Sequence, residues 1–224
     1  MPLSKERVLR AAVALADREG LESCAMRKLA AELGAGVMSL YHYVPSKDEL
    51  LDGMVDIVFD EIEPPTTDGD WKTAMRRRAI STREALNRHR WAVGLMESRK
   101  TPGPASLRLH DAVLGCLREA GFSIELAIQA YSVQDAYIYG FALQEKSLPF
   151  ESAEEAAAVA EEQVREVAEL AAERQMGALA DEFPHLAEVV AGHVANVGYD
   201  FAAAFEYGLD LILDALEQRR GTAR

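Results

Sequence analysis

Cysteine is almost absent: the 224 residues include two, Cys24 and Cys116, far apart in the chain. Such a pair builds no disulfide framework and matches no metal-ligand spacing, so reduced, buried or semi-buried thiols in a cytoplasm are expected. Long apolar runs are also missing. No stretch approaches the ~18 apolar residues of a membrane span, and nothing near the N-terminus is apolar enough for a signal peptide, so no membrane partner is expected. Catalytic signatures are absent too, with no nucleophile elbow, no P-loop and no Gly-rich dinucleotide turn. The five histidines (His42, His89, His110, His185, His193) form no i, i+4 pair and no cluster with carboxylates, so no metal and no cofactor is expected. An excess of positive charge is lacking as well: the formal net charge is −13.

That acidity is unevenly spread. Residues 1–50 contain seven basic and seven acidic side chains, so the rest of the chain carries the whole deficit. A locally cationic face on the neutral part could meet phosphate while the acidic remainder discourages indiscriminate binding. The thin basic patch predicts modest non-specific affinity and strong salt sensitivity. An ordinary soluble bacterial enzyme would be acidic too, so charge alone decides nothing. With 49% hydrophobic residues, the chain can bury a sizeable core and hold one small and one larger domain.

The stretch Met26 to Leu51, MRKLAAELGAGVMSLYHYVPSKDELL, carries the most information. Leu29, Ala30 and Leu33 share one face of a helix from about Met26 to Leu33, and Gly34 stands where a helix C-terminus favours positive φ. A second short helix, Val37 to Tyr43, is stopped by Pro45. Ser46 and Glu49 form a capping box, after which Leu50, Leu51, Met54, Val55, Val58 and Ile62 continue an amphipathic helix. Upstream, Ser4 to Glu19 turns Val8, Leu9, Ala12, Val13, Leu15 and Ala16 inward and stops at Gly20. This is the layout of a helix-turn-helix, although a plain αα-hairpin would produce its first half equally well.

The same residues resemble the DNA-binding region of TetR-type repressors, whose motif is a helix, a Gly, an "LY.HV" recognition helix and then "K..L". Asp70-Trp71, the run Arg83 to Arg90, Gly121-Phe122-Ser123 and Phe205-Glu206-Tyr207-Gly208-Leu209 resemble the tetracycline-repressor subgroup. The resemblance implies an all-α fold in three parts: a three-helix DNA-binding domain over 1–46, a linker helix over 47–65, and a larger helical ligand-binding and dimerisation domain over 66–224. It implies double-stranded operator DNA, a small-molecule effector and a second copy of the chain as partners. Arg27 and Lys28 open the supporting helix, and an arginine there can fork onto a guanine edge or a phosphate. Gly36, Val37, Met38 and Ser39 begin the recognition helix, whose first turn meets base edges. Tyr41 and Lys47 match the family's phosphate contacts, which position without reading sequence. His42 is placed at base or phosphate, whereas Leu40, Tyr43 and Val44 are expected in the core. Val37 stands where the tetracycline repressor has a polar reader, so the operator is not carried over.

The body reads as helices throughout. Trp71 to about Glu97 is one or two helices interrupted near Gly94, with Trp71, Met75, Ala79, Thr82 and Leu86 on one face. A proline-glycine loop, Lys100 to Ala105, precedes helices at Ser106 to Ala120 and Ser123 to about Glu145. Ser152 and Glu155 open an acidic helix to about Arg174. The last helix, Gly192 to Arg219, has a broad apolar band: Val194, Val197, Phe201, Phe205, Gly208, Ile212 and Leu216, widened by Ala204, Tyr207, Leu211 and Ala215. A band that wide predicts a four-helix dimer interface with residues 123–145, the alternative being a core helix within one chain.

By resemblance, the effector lies among Glu63, Arg78, Thr82, Met96, Arg99, His110, Val113, Ile128, Tyr131, Asp135 and, from the partner copy, Gln144. Met96 falls where the subgroup has its magnesium-binding histidine, Arg99 on a threonine and Gln144 on a glutamate. A thioether and a guanidinium do not suit a hard divalent ion. An aromatic or polyketide-like molecule with an acidic or phenolic group facing Arg78 and Arg99 is expected instead. Function thus reads as a repressor released from its operator by a small molecule, not an enzyme. The alternatives are a non-catalytic helical adaptor or a regulator that activates transcription.

Overall fold

The computed structural model describes residues 3–96, 98–99, 101–147, 183–189 and 201–222, which form helices and turns without a strand. Up to Lys146 and again from Glu206 they belong to one compact unit; 147–205 belong to a second. The elements are α1 (Lys5–Glu19), a 3₁₀ turn (Leu21–Ser23), α2 (Met26–Leu33), α3 (Val37–Tyr43), α4 (Lys47–Asp60), α5 (Trp71–Arg88), α6 (Val93–Met96), α7 (Pro104–Glu119), α8 (Ile124–Lys146), α9 (Pro184–Val189) and α10 (Phe201–Thr222). The acidic helix expected from Ser152 and the first turns of the last helix, from Gly192, lie outside the described residues. None of the described helices is long and apolar enough to cross a membrane.

The N-terminal helices follow the sequence closely because their signals are local. Ser4 Oγ accepts from the Arg7 amide at 3.2 Å, and all six inward residues of α1 are buried. Gly34 ends α2 in the left-handed region at φ 62°, where a Cβ would be strained. Ser46 caps α4, its Oγ accepting from the Glu49 amide at 3.1 Å. Leu40 and Val44 are fully buried while Tyr43 is half-buried. Helix α1 packs on α2, α3 and α4, which fixes the small domain against the start of the body.

Further along, tertiary contacts move the boundaries. Helix α4 stops at Asp60, not Ile62: the Glu61 and Ile62 amides fold back to Val58 and Phe59 carbonyls at 3.3 and 3.2 Å, and Pro64-Pro65 follows. Ile62 is nevertheless buried, which is why periodicity extends the helix to it. The break expected near Gly94 comes earlier, at His89 (φ −115°, ψ 61°), where the buried ring lies between Asp17 and Glu61. Gly94 is an ordinary position inside α6. Helix α7 begins at Pro104, two residues before Ser106, because proline needs no amide donor in a first turn. The next two amides, of Ala105 and Ser106, donate to Asp56 Oδ1 at 2.9 and 3.1 Å. A cap supplied by another helix leaves no local trace in sequence.

In α10 the buried residues are Leu209 and Leu213, together with Phe205 and Leu216 of the expected stripe. The first two fall outside the expected stripe, and Ile212 is only half-buried. Tyr207 and Leu211 point outward, 70% and 54% exposed. Arg76 pins α10 to α5 through Glu206 and Asp210 at 2.7 and 2.9 Å.

Candidate functional site: a reading head and a cavity joined by one helix

Helix α3 projects from the small domain by its exposed side. Met38 is 80% exposed and Tyr41 40%; Ser39 and His42 are also exposed, Val37 is half-buried, and Gly36 is the N-cap. His42 packs its ring edge-on to Tyr43. Arg27 and Lys47 are exposed. The cations differ in availability, which sequence could not reveal. Lys28 is ion-paired with Glu19, Arg18 with Glu32 and Arg10 with Glu6. The Lys28 contact, chiefly its hydrogen bond, holds the Glu19 carboxyl below its ordinary pKa. Among the described residues Arg27 and Lys47 have no such carboxylate. Cys24 is buried under this domain with Sγ 3.4 Å from the Ala12 carbonyl. Burial and the nearby Asp17 and Glu32 push its thiol pKa up, so it is inert.

Behind the head, α4, α6, the following loop, α7 and α8 enclose a cavity of about 270 Å³. Helix α4 contributes Asp52, Val55, Asp56 and Phe59; α6 and the loop contribute Met96, Arg99, Thr101, Pro102 and Gly103. Helix α7 adds Ser106 and His110, and α8 adds Tyr131, Asp135 and Tyr139. Of the residues expected around an effector, Met96, Arg99, His110, Tyr131 and Asp135 meet here. Arg78 stands one layer back, 1% exposed, with Nη2 donating to Asp135 Oδ1 at 2.6 Å. The others do not border it. Glu63 is exposed and ion-paired with Arg77; Thr82 is buried, donating to the Arg78 carbonyl at 2.8 Å; Val113 is fully buried, Ile128 is 54% exposed and Gln144 exposed. Glu63, Thr82, Val113 and Ile128 therefore lie off the lining of this cavity, while Gln144 is expected from a partner copy and its place within one chain does not bear on that expectation. Asp52, Asp56, Phe59 and Tyr139 were missed. The i, i+4 recurrence of aspartate on α4 was the available signal.

That recurrence is a ladder. Asp48, Asp52, Asp56 and Asp60 are each engaged by the body: Arg99 binds Asp48 Oδ1 at 3.1 Å and Asp52 Oδ1 at 2.5 Å, Asp56 caps α7, and Arg108 binds Asp60 at 2.9 Å. The outer rungs are largely exposed and worth little; the inner ones border the cavity. A Cβ on Gly103 would collide with the Asp56 carboxylate, so only glycine lets α7 come this close. Neither arginine expected to greet an acidic ligand is free, since Arg99 is bound to Asp48 and Asp52 and Arg78 to Asp135. Arg78 Nε and Nη1 find no acceptor among the described residues, and its guanidinium lies 5.8 Å from the centre of the Tyr131 ring. Burial, then the neighbouring Asp135, raises the Tyr131 phenol pKa, which keeps it protonated. No group of three His, Cys, Asp or Glu among the described residues could hold a metal ion.

A second junction ties α1 directly to the body. His89 Nδ1 lies 2.8 Å from Asp17 and Nε2 3.2 Å from Glu61. Asp17 also accepts from Trp91 Nε1 at 2.7 Å, and Glu61 from Arg88 at 2.9 Å. Burial pushes the Glu61 pKa up, but the hydrogen bonds from Arg88 and His89 outweigh it and leave it lowered.

Known proteins are similar to this chain in sequence and fold. Residues 8–54 match the bacterial regulatory proteins of the tetR family, and residues 63–220 match the tetracyclin repressor-like C-terminal domain. HTH-type transcriptional repressor DrrR1 of Streptomyces coeruleorubidus is 36% identical over 98% of this chain and 80% of its own length. Tetracycline repressor protein class A from transposon 1721 of Escherichia coli is 29% identical over 99% and 94%. Among solved structures, ActR of Streptomyces coelicolor in complex with actinorhodin superposes with a TM-score of 0.77 at 28% identity, covering 99% of this chain and 100% of that one. With a helix-turn-helix head and a tetracycline-repressor-like body, the chain belongs to the TetR family of transcriptional regulators.

Proposed function

We propose that the protein is a cytoplasmic, homodimeric repressor that grips operator DNA with α2 and α3 and lets go when a flat aromatic molecule enters the cavity behind α4. One observation carries this: α4 is both the prop of the head, capped by Ser46 immediately after α3, and a wall of the cavity. Occupying the cavity must move or brace α4, and α4 cannot move without the head. The shift is bounded by the ligand's difference in affinity between the two positions.

In this reading Tyr41 and Lys47 hold phosphates, Arg27 reaches a base edge or phosphate, and Val37, Met38 and Ser39 face bases, where the apolar pair suits a thymine methyl. Lys28, tied to Glu19, contributes less. The exposed apolar side chains of α8 (Ile128, Val133, Leu143) and α10 (Tyr207, Leu211), with half-buried Leu126 and Ile212 beside them, support a two-fold partner seated there. Such symmetry presents two heads to half-sites about 34–36 Å apart. Regulation by DNA occupancy requires no catalysis.

Genomic fragments captured by the protein, then used in gel shifts, test the docking. Tyr41→Ala and Lys47→Ala should weaken binding to every captured fragment alike; if neither changes it, α3 is not the docking helix.

A further inference from the structure

The cavity's charge inventory is one-sided. Its cations are already bonded to aspartates: Arg99 to Asp48 and Asp52, and Arg78, which does not border the space, to Asp135. The charged group left without a cation is an acceptor. Asp56 gives Oδ1 to two backbone amides and meets no cationic side chain among the described residues. His110 Nδ1 lies 2.6 Å from the Ser106 carbonyl; a carbonyl only accepts, so that nitrogen carries the hydrogen and Nε2 of the neutral ring is an acceptor. Among the described residues, the bordering Asp52, Asp56 and Asp135 stand against Arg99 and, one layer back, Arg78. One negative charge remains, offset by the partial charge of the α7 N-terminus. Around it stand the rings of Phe59, His110 and Tyr131, with centroids 6.2 and 5.2 Å apart in succession.

We infer that the effector joins a flat aromatic body to a protonated amine, the ring lying among Phe59, His110 and Tyr131 and the ammonium directed at Asp56. This rests on the cavity being the effector site. A carboxylate enters a field of its own sign, with both arginines already bonded to aspartates; an ammonium supplies the charge that the wall lacks.

Calorimetric titration of the full-length protein with three anthraquinones tests it: one carrying an aminoethylamino chain, one a hydroxyethylamino chain, one a carboxylate. The amine should bind about tenfold or more tighter than the alcohol, and the carboxylate weakest. Asp56→Asn keeps an acceptor for the Ala105 and Ser106 amides and removes the charge, so it should erase most of the amine's advantage and leave the alcohol unchanged. Asp52→Asn, still bonded to Arg99, is a second charge-only variant should the first melt early, and should reduce the same advantage. Met96→Trp, which fills the space, should abolish all three. Equal binding of the three, tighter binding of the carboxylate, or an advantage that survives both charge-only variants overturns the inference and leaves the cavity as the effector site. No binding by any compound, or binding indifferent to Met96→Trp, overturns the effector site itself.

Discussion

The head and the cavity are built from the same kinds of helix yet differ in what holds their functional side chains. In the head, Met38 and Tyr41 stand in solvent on a short helix whose single buried residue, Leu40, anchors it, and Lys47 stands in solvent at the start of α4. In the cavity every charged side chain is already bonded to another part of the protein, Asp56 through backbone amides and the others through opposite charges. A surface meant to meet a rigid polyanion can leave its donors free, because water satisfies them until DNA arrives. An enclosed cavity cannot, because unpartnered charge there is costly. Chemistry for the partner is therefore displayed in one region and must be found by subtraction in the other.

The widest test of that contrast sets Leu40 against Met38. Leu40→Ala removes a fully buried side chain and should destabilise the protein by about 2–5 kcal/mol, lowering the melting temperature and abolishing DNA binding together. Met38→Ala, two residues away and in solvent, should leave the melting temperature unchanged while altering which captured sequences bind best. If Met38→Ala were as destabilising as Leu40→Ala, α3 would be a packing helix and not a displayed one.

Next in size is the joint between the two regions. Asp56→Ala removes the α7 cap, for which about 1 kcal/mol is typical, whereas Asp56→Asn should retain most of it. Gly103→Ala should cost at least as much as Asp56→Ala, since its methyl displaces the same carboxylate. Urea midpoints of the three variants rank them; equal midpoints for Asp56→Ala and Asp56→Asn would show that the two α7 amides do not depend on that oxygen.

The contrast also explains what could be read in advance. Helices α1 to α4 were legible to within a residue or two because Ser4, Gly34, Pro45 and Ser46 act on their own neighbours, and the displayed residues of α3 follow from periodicity. The cavity was only partly legible. Met96, Arg99, His110, Tyr131 and Asp135 border it while Glu63, Thr82, Val113 and Ile128, expected with them, do not, and nothing local separates the two groups. The commitments of Arg78 to Asp135 and Arg99 to Asp52 span 57 and 47 residues, beyond any pattern a helical period can reveal. The break at His89 was misplaced for the same reason: its partners lie in α1 and just past α4.

A smaller effect distinguishes the second junction from the ladder by pH. The Glu61 pKa is lowered on folding, so its contribution is present above its unfolded value, near 4.3, and fades as pH falls through the folded one. A melting series of the wild type against Glu61→Gln should show an advantage at neutral pH that narrows below about pH 4. An advantage constant across that range would mean that Arg88 and His89 hold Glu61 by packing and not by charge.

The smallest expected effect separates two lysines that sequence treats alike. Lys47 is exposed and without a carboxylate among the described residues, whereas Lys28 already neutralises Glu19. A phosphate that recruits Lys47 releases counterions at no cost to an existing bond; one that recruits Lys28 must first break an ion pair and leave Glu19 facing DNA. Lys47→Ala should therefore flatten the dependence of log affinity on log salt by about one unit. Lys28→Ala should change it by much less, or steepen the loss of affinity at low salt because Glu19 is unmasked. Equal slopes for the two variants would mean that the Lys28–Glu19 pair opens on DNA, and that the head, like the cavity, keeps part of its binding chemistry bonded to itself until the partner arrives.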